Sequence, residues 1–279
     1  GRDLAAAFPA AAQAFQQADD ALGESLSSLC FEGPADTLTL THNAQPALLA
    51  HGAAVWAVVR DALKRQTRAT AGHSLGEFTA YHAAGAIALP DAMRLVRRRG
   101  QLMYESGLAR PGTMAAILGD TDPGIDAICA EASSSPDGGL VVPANYNSPG
   151  QVVISGEVAG VERAMELAKN AGAKRAIRLP VSGAFHSPLM QSAWQAFGQA
   201  LNHASLTDPL VPVYANVTTE PVHTAADARR LLLARLVVDH RITARDPFAL
   251  ADDAAERAIA THLLGEDSVS LADAHALLR

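Results

Sequence analysis

Apolar and polar positions alternate along this chain in two textures, one helical and one strand-like. Residues 91–103 carry a helical period. At 3.6 residues per turn, Ala92, Leu95, Val96, Leu102 and Met103 share one face. Arg94, Arg97, Arg98 and Gln101 fall on the opposite face, which predicts a solvated surface. Arg99 falls in the middle of the apolar face. A guanidinium does not enter such a face without a partner for its charge. It therefore marks either an internal ion pair with an Asp or Glu, or a site for a substrate carboxylate gripped by two parallel hydrogen bonds.

The middle third alternates differently. Residues 113–118, 140–144, 152–155 and 175–179 read as strands, and 124–132 and 158–171 as helices. The order β-α-β-β-α-β is that of a ferredoxin-like unit, with Ser133 to Gly139 as a surface loop inside it. The predicted fold class is α/β. An α/β-hydrolase-like large subdomain (1–111 and 181–279) carries the ferredoxin-like small subdomain (112–180) as an insertion, and the cleft between them is the expected active site. No internal repeat is present.

One short motif adds chemistry. Gly72-His73-Ser74-Leu75-Gly76-Glu77 has the form Gly-x-Ser-x-Gly, a strand-to-helix turn that presents a serine hydroxyl as a nucleophile. The residues before it, 67–71, fit the end of a strand; those after it, 75–87, fit a helix rich in small side chains. Small residues two places on either side let the backbone turn tightly. The Leu75 N–H at the helix start would face a developing oxyanion.

A serine needs a base, and ten histidines are available. His186 is the best placed, in a Gly/Ser/Pro loop after the predicted strand at 175–179, although position alone favours a loop histidine that merely bonds its neighbours. His73 is expected to brace the turn and His82 to pack. Asp120, Asp122, Asp126 and Asp137 lie between serine and histidine, and none stands out as a third member of a triad. No His/Cys/Asp/Glu cluster has metal-ligand spacing, so no metal is expected.

Composition narrows the classes. With 279 residues, 49% of them hydrophobic, the chain can bury a large core. A net charge of −7 argues against nucleic acid as a partner. No stretch approaches a membrane span, and the first residues lack the pattern of a signal peptide. The two cysteines, Cys30 and Cys129, have no motif spacing, which suggests a reducing cytoplasm.

Several stretches together resemble the malonyl-CoA:acyl carrier protein transacylases of fatty acid synthesis. They are Gln45-Pro-Ala-Leu, the Gly72–Glu77 motif, residues 94–103 with Arg99-Gly100, and Gly112-Thr-Met-Ala-Ala-Ile. Further on come residues 145–156 (Asn-Tyr-Asn-Ser-Pro-Gly-Gln-Val-Val-Ile-Ser-Gly), 171–175 and 179–190 (Leu-Pro-Val-Ser-Gly-Ala-Phe-His-Ser-Pro-Leu-Met). They follow the family's order and spacing from about residue 1 to 236.

The resemblance implies roles. Ser74 would be acylated by malonyl-CoA. His186 would take its proton and later activate the carrier's phosphopantetheine thiol, oriented by a backbone carbonyl in place of a carboxylate. Arg99 would hold the malonyl carboxylate, and Leu75 would supply one oxyanion N–H. Gln45, Asn145 and Asn147 would lie near the pocket, though the two asparagines could equally serve the turn before Pro149-Gly150. Phe185 beside His186 would narrow the pocket toward malonyl over methylmalonyl. No cofactor is implied, since malonyl-CoA is a substrate. The partner would be acyl carrier protein, met by a monomer that touches neither membrane nor nucleic acid. The net negative charge places its docking on a local basic patch, for which Lys169, Lys174, Arg175 and Arg178 are the candidates.

Two departures from the family pattern belong to the expectation. Its first hydrophobic strand and Gly-Gln-Gly-Ser-Gln loop are not in this sequence, which suggests truncation, an exposed sheet edge or gap, and one oxyanion donor fewer. Such a loss costs about 10²–10³ in rate. From about residue 237 the chain is atypical: the Pro-Val-x-Trp segment expected to orient His186 and a later Gly-Pro-Gly turn are replaced, as a frameshift would do. Two other readings stay open: an α/β-hydrolase-type esterase or thioesterase, and an inactive carrier-binding remnant.

Overall fold

A computed structural model describes residues 1–136, 138–181, 183–236 and 240–241. The atypical stretch beginning near 237 lies outside the described residues except for the backbone at 240–241, and Asp137 lies outside them too.

The chain starts with five helices: α1 (Arg2–Ala7), α2 (Pro9–Leu22), α3 (Leu26–Glu32), α4 (Ala35–Thr39) and the long α5 (Thr41–Leu63). A two-residue strand β1 (Thr70–Ala71) leads through the Ser74 turn into α6 (Gly76–Ala83) and then α7 (Leu89–Ala109). The six-element unit follows: β2 (Thr113–Leu118), α8 (Ile125–Ser134), β3 (Val141–Ser148), β4 (Gln151–Gly156), α9 (Val158–Asn170) and β5 (Arg175–Arg178). A 3-10 turn η1 (Pro188–Met190), α10 (Gln191–His203), β6 (Val213–Tyr214), β7 (Pro221–Val222), α11 (Ala225–Ala234) and β8 (His240–Arg241) complete it.

The fold is mixed α/β, as predicted, but its strands are unevenly shared. The five-stranded sheet has the order β5-β2-β4-β3-β8, with β2, β3, β4 and β5 joined only by antiparallel pairings. Against one another these strands pack Ala115, Ile117, Val141 and Ile154, which α8 and α9 cover with Ile128, Cys129, Val161 and Ala164. The larger core is helical. Its three-stranded sheet, β1-β6-β7, is built from two-residue strands, and apolar residues of α2, α5, α7 and α10 close over it.

The periodicity of α7 is borne out and extended. Ala92, Leu95, Val96, Leu102 and Met103 are buried, and Arg99 is buried among them at 2% exposure. Arg94 and Arg98 are exposed as predicted. Arg97 is a correction: its guanidinium turns in under α5 to donate to the His42 carbonyl and Asn43 Oδ1 at 2.6 Å each, and it also meets Glu24. The polar groups at the start of α5 draw it off the solvated face. Helix α6 is shorter than the predicted 75–87, because Gly85 takes a left-handed φ of 73° and the chain leaves the helix there. Between α5, β1 and α6 lies an apolar cavity of about 610 Å³ lined by Leu48, Val55, Trp56, Thr79 and Ala83 among others; Ser74, Arg99 and His186 are not in its wall. Among the described residues no helix is long and apolar enough to cross a membrane.

Candidate active site

The site begins with the turn. Ser74 stands at φ 51°, a left-handed conformation that a residue with a Cβ holds only under constraint. The turn closes because Gly72 has no side chain: a Cβ there would sit 2.0 Å from the Gly76 backbone. Gly76 is not needed in the same way, since a Cβ on it would meet nothing within 4 Å. The N–H groups of Gly76 and Glu77 bond back to His73 and Ser74 carbonyls at 2.8 and 3.2 Å. The Leu75 N–H donates to no group among the described residues, as expected of the first donors of a helix.

His186, 112 residues away, arrives from the loop between β5 and η1 at φ 58°. Ser187 anchors that loop: its hydroxyl donates to the Ala184 carbonyl at 2.7 Å and accepts from the Leu189 N–H. His186 Nε2 lies 3.0 Å from Ser74 Oγ, and its Nδ1 lies 2.9 Å from the Arg235 carbonyl. A carbonyl only accepts, so Nδ1 carries the hydrogen and Nε2 is left as the acceptor a base requires. The orienting group is a backbone carbonyl, as the resemblance implied. It belongs to Arg235, immediately after α11: the end of α11 carries the chain back past the imidazole.

Arg99 reaches the same place from α7. Its Nη1 donates to Gln45 Oε1 at 2.5 Å, its Nη2 stands 3.4 Å from Ser74 Oγ, and its Cζ lies 5.8 Å from the centre of the Phe78 ring. Gln45 is held in turn by Thr41 and by the Met103 sulfur. Close approach of α5 to α7 makes this possible, since a Cβ on Gly100 would lie 2.6 Å from the His42 Cα. Among the described residues no carboxylate pairs with Arg99 at salt-bridge distance, so the internal ion pair is not formed. Burial pushes the Arg99 guanidinium down to about 10, a shift that Glu77 partly opposes, and it remains a cation at neutral pH.

The other predicted residues divide. Asn145 and Asn147 gather on His73, at 3.2 and 2.9 Å from its Nε2, and so tie β3 to the turn. They do so from a strand, not from the turn before Pro149; two residues apart in β3, they share one face of it. Phe185 is half-buried where the helical core meets a small cluster of Met114, Ala144 and Val153. The four basic residues lie exposed on the six-element unit, but Arg178 is spent on Glu162 and Thr113. His82 packs with its Nδ1 on the Ile87 carbonyl, as expected.

Three residues were missed. Asn216 bonds the Ser74 N–H and the Gly72 carbonyl; Glu77 is fully buried below the turn; the Arg235 side chain is buried at 2% exposure against Asn216. Glu77 was in view inside the motif, while nothing local marks the other two. Burial pushes the Glu77 carboxyl up to about 7, against the pull of Arg235, the Asn216 N–H and Arg99. Among the described residues no group of three or more His, Cys, Asp or Glu could hold a metal ion.

A serine activated by a fixed imidazole, at the head of a helix and beside a buried cation, is equipped to form an ester with an anionic acyl group. Fold and site thus define a covalent acyl-handling protein of mixed α/β architecture. The family model described as acyl transferase domain matches residues 1–243. The malonyl CoA-acyl carrier protein transacylase of Bacillus subtilis is 45% identical over 236 residues, which are 85% of this chain and 74% of that protein. That of Escherichia coli K12 is 42% identical over 233 residues, covering 84% and 74%. A solved structure of a type II PKS acyl-carrier protein in complex with its malonyl-transacylase matches at a TM-score of 0.79 and 40% identity, over 86% of this chain and 77% of that one. The chain belongs to the malonyl CoA-acyl carrier protein transacylase family of acyl transferases.

Proposed function

We propose that the chain moves a malonyl group from malonyl-CoA to the phosphopantetheine thiol of acyl carrier protein, the loading step of fatty acid synthesis, through a malonyl ester on Ser74. The observation that carries this reading is the meeting of Ser74, His186 and Arg99 within 3.4 Å contacts. Ser74 Oγ attacks the thioester carbon while His186 Nε2 takes its proton, and the Leu75 N–H receives the charge on the thioester oxygen. The C–S bond breaks, and coenzyme A leaves as a thiol with the proton from Nε2. The carrier thiol then gives its proton to Nε2 and attacks the ester, and Ser74 Oγ recovers a proton as it leaves.

Arg99 selects the acyl group. A malonyl carboxylate gives the buried guanidinium an anion; an acetyl group leaves it without one, which costs several kcal/mol in a dry site. Gln45 keeps the fork aimed at the serine, and Phe185 narrows the pocket. Asn145 and Asn147 hold His73 at the edge of the pocket. No cofactor takes part. We read the chain as a monomer, and the free Cys30 and Cys129 support a reducing, cytoplasmic setting.

The strand order β5-β2-β4-β3 supports a ferredoxin-like subdomain at 112–180 inserted into an α/β-hydrolase-like one at 1–111 and from 181 on, with the site at their seam. The carrier would dock through the exposed Lys169, Lys174 and Arg175.

Initial-rate kinetics with malonyl-CoA and holo-carrier test the reading. Parallel double-reciprocal lines with malonyl-carrier as product are expected. Release of free malonate faster than transfer would mark a thioesterase, and carrier binding without turnover would mark a binding remnant.

A further inference from the structure

We propose that Asn216 is the positioning residue of the nucleophile: its carboxamide locks the backbone turn that carries Ser74. The inference deepens the acyl-transfer reading and rests on it. The Asn216 Oδ1 accepts from the Ser74 N–H at 2.6 Å, and its Nδ2 donates to the Gly72 carbonyl at 2.7 Å. One amide thus grips the turn on both sides of His73, as a neighbouring strand's backbone would. Both partners are main-chain groups, so the amide is fixed in one orientation; the reverse would set donor against donor and acceptor against acceptor.

The register of the small sheet brings this about. Parallel pairing sets Ala71 opposite Tyr214, and two residues further along Asn216 comes beside the turn. Asn216 is 7% exposed. Its own N–H points to Glu77 Oε2 at 3.4 Å, and Arg235 Nε approaches its Oδ1 at 3.4 Å. The same Arg235 supplies the carbonyl that orients His186. Asn216 therefore stands between the two halves of the serine–histidine pair while touching neither reacting atom. It is the side chain that bonds the Ser74 main chain where Ser74 takes its left-handed φ.

The test uses the full chain, its Asn216→Ala and Asn216→Asp variants, and two readouts. A fluorophosphonate forms an Oγ–P bond on Ser74, loses fluoride, and passes the serine proton to His186; it reports the nucleophile without reference to the acyl group. Initial rates with malonyl-CoA give kcat and KM. Misplacing a reacting atom by about 1 Å costs on the order of 10²-fold. Both variants are expected to be phosphonylated roughly 10²-fold more slowly, with kcat falling in parallel and KM within about threefold, since Arg99 is untouched.

A folded Asn216→Ala chain phosphonylated at the unmutated rate overturns the inference, as does a lower melting temperature with unchanged rates. If Asn216→Ala does not fold, Asn216→Asp decides. It keeps the size and the acceptor for Ser74 but sets an oxygen against the Gly72 carbonyl; slow labelling supports the inference and full-rate labelling overturns it. An unmutated chain that takes the phosphonate but never malonyl sinks the acyl-transfer reading alone, and one inert to both sinks the two together.

Discussion

Arg99 shows how much one side chain can specify. The helical period placed it inward, and the structure gives it Gln45 and the serine hydroxyl in place of an acid. Arg99→Ala is therefore expected to lower kcat/KM for malonyl-CoA by about 10²–10³, in line with the cost of leaving a buried charge unpaired, while acetyl-CoA becomes the better of the two substrates. Equal losses with both thioesters would make Arg99 a packing residue. Glu77 carries a second prediction. Its carboxyl, ordinarily at 4.5, is raised to about 7 by burial. Between those values the native chain holds a proton that the unfolded chain has released. Stability then falls as pH rises through this window and levels off above it. Glu77→Gln should flatten that slope, so melting temperatures of the two proteins should converge near pH 5 and diverge by pH 8, with the variant higher. Identical profiles would contradict it. Neither Asn216 nor Arg235 was legible in the sequence. An asparagine and an arginine with no motif around them acquire meaning only when a parallel strand pair or a helix end carries them across the fold.

At the scale of elements, the strand-turn-helix around Ser74 was legible because its constraint is local. The two glycines of the motif nevertheless differ. Gly72 faces the Gly76 backbone, where a Cβ would overlap it at 2.0 Å, whereas Gly76 has open space. Gly72→Ala is expected to abolish Ser74 acylation. Gly76→Ala should leave it within about twofold and stabilise the first turn of α6 by up to ~1 kcal/mol, since alanine is the better helix former. Acylation rates and thermal melts of the two variants check both statements. The six-element unit was likewise readable, element for element, because alternation of period two and helical period switch cleanly there. The helical core was less so. Its strands are two residues long, too short to leave a period, and the partners β1 and β6 lie more than a hundred residues apart. The turn-in of Arg97 has the same origin: a periodicity plot sees one helix and not the polar end of α5 beside it.

At the scale of the molecule, the long excursion of the chain between Arg99 and His186 returns to close the site. His73, whose Nε2 meets Asn147 Oδ1 and lies against Asn145 Nδ2, fastens β3 of the six-element unit to the nucleophile turn. The same unit carries the exposed Lys169, Lys174 and Arg175. If these receive an acidic carrier, Lys174→Glu with Arg175→Glu should raise KM for the holo-carrier at least tenfold and make it less salt-dependent. Acylation of Ser74 by malonyl-CoA should not change. An unaltered carrier KM would place docking elsewhere.

The central claim is that a hydroxyl, an imidazole and a guanidinium form one site for a malonyl thioester. Brief mixing with malonyl-CoA or acetyl-CoA, acid quench and tandem mass spectrometry of the peptides test it most directly. The account predicts a malonyl ester on Ser74, absent from Ser74→Ala, slowed by His186→Ala, and in strong excess over the acetyl ester. An unmodified Ser74, or malonyl carried equally by the Ser74→Ala chain, would contradict it.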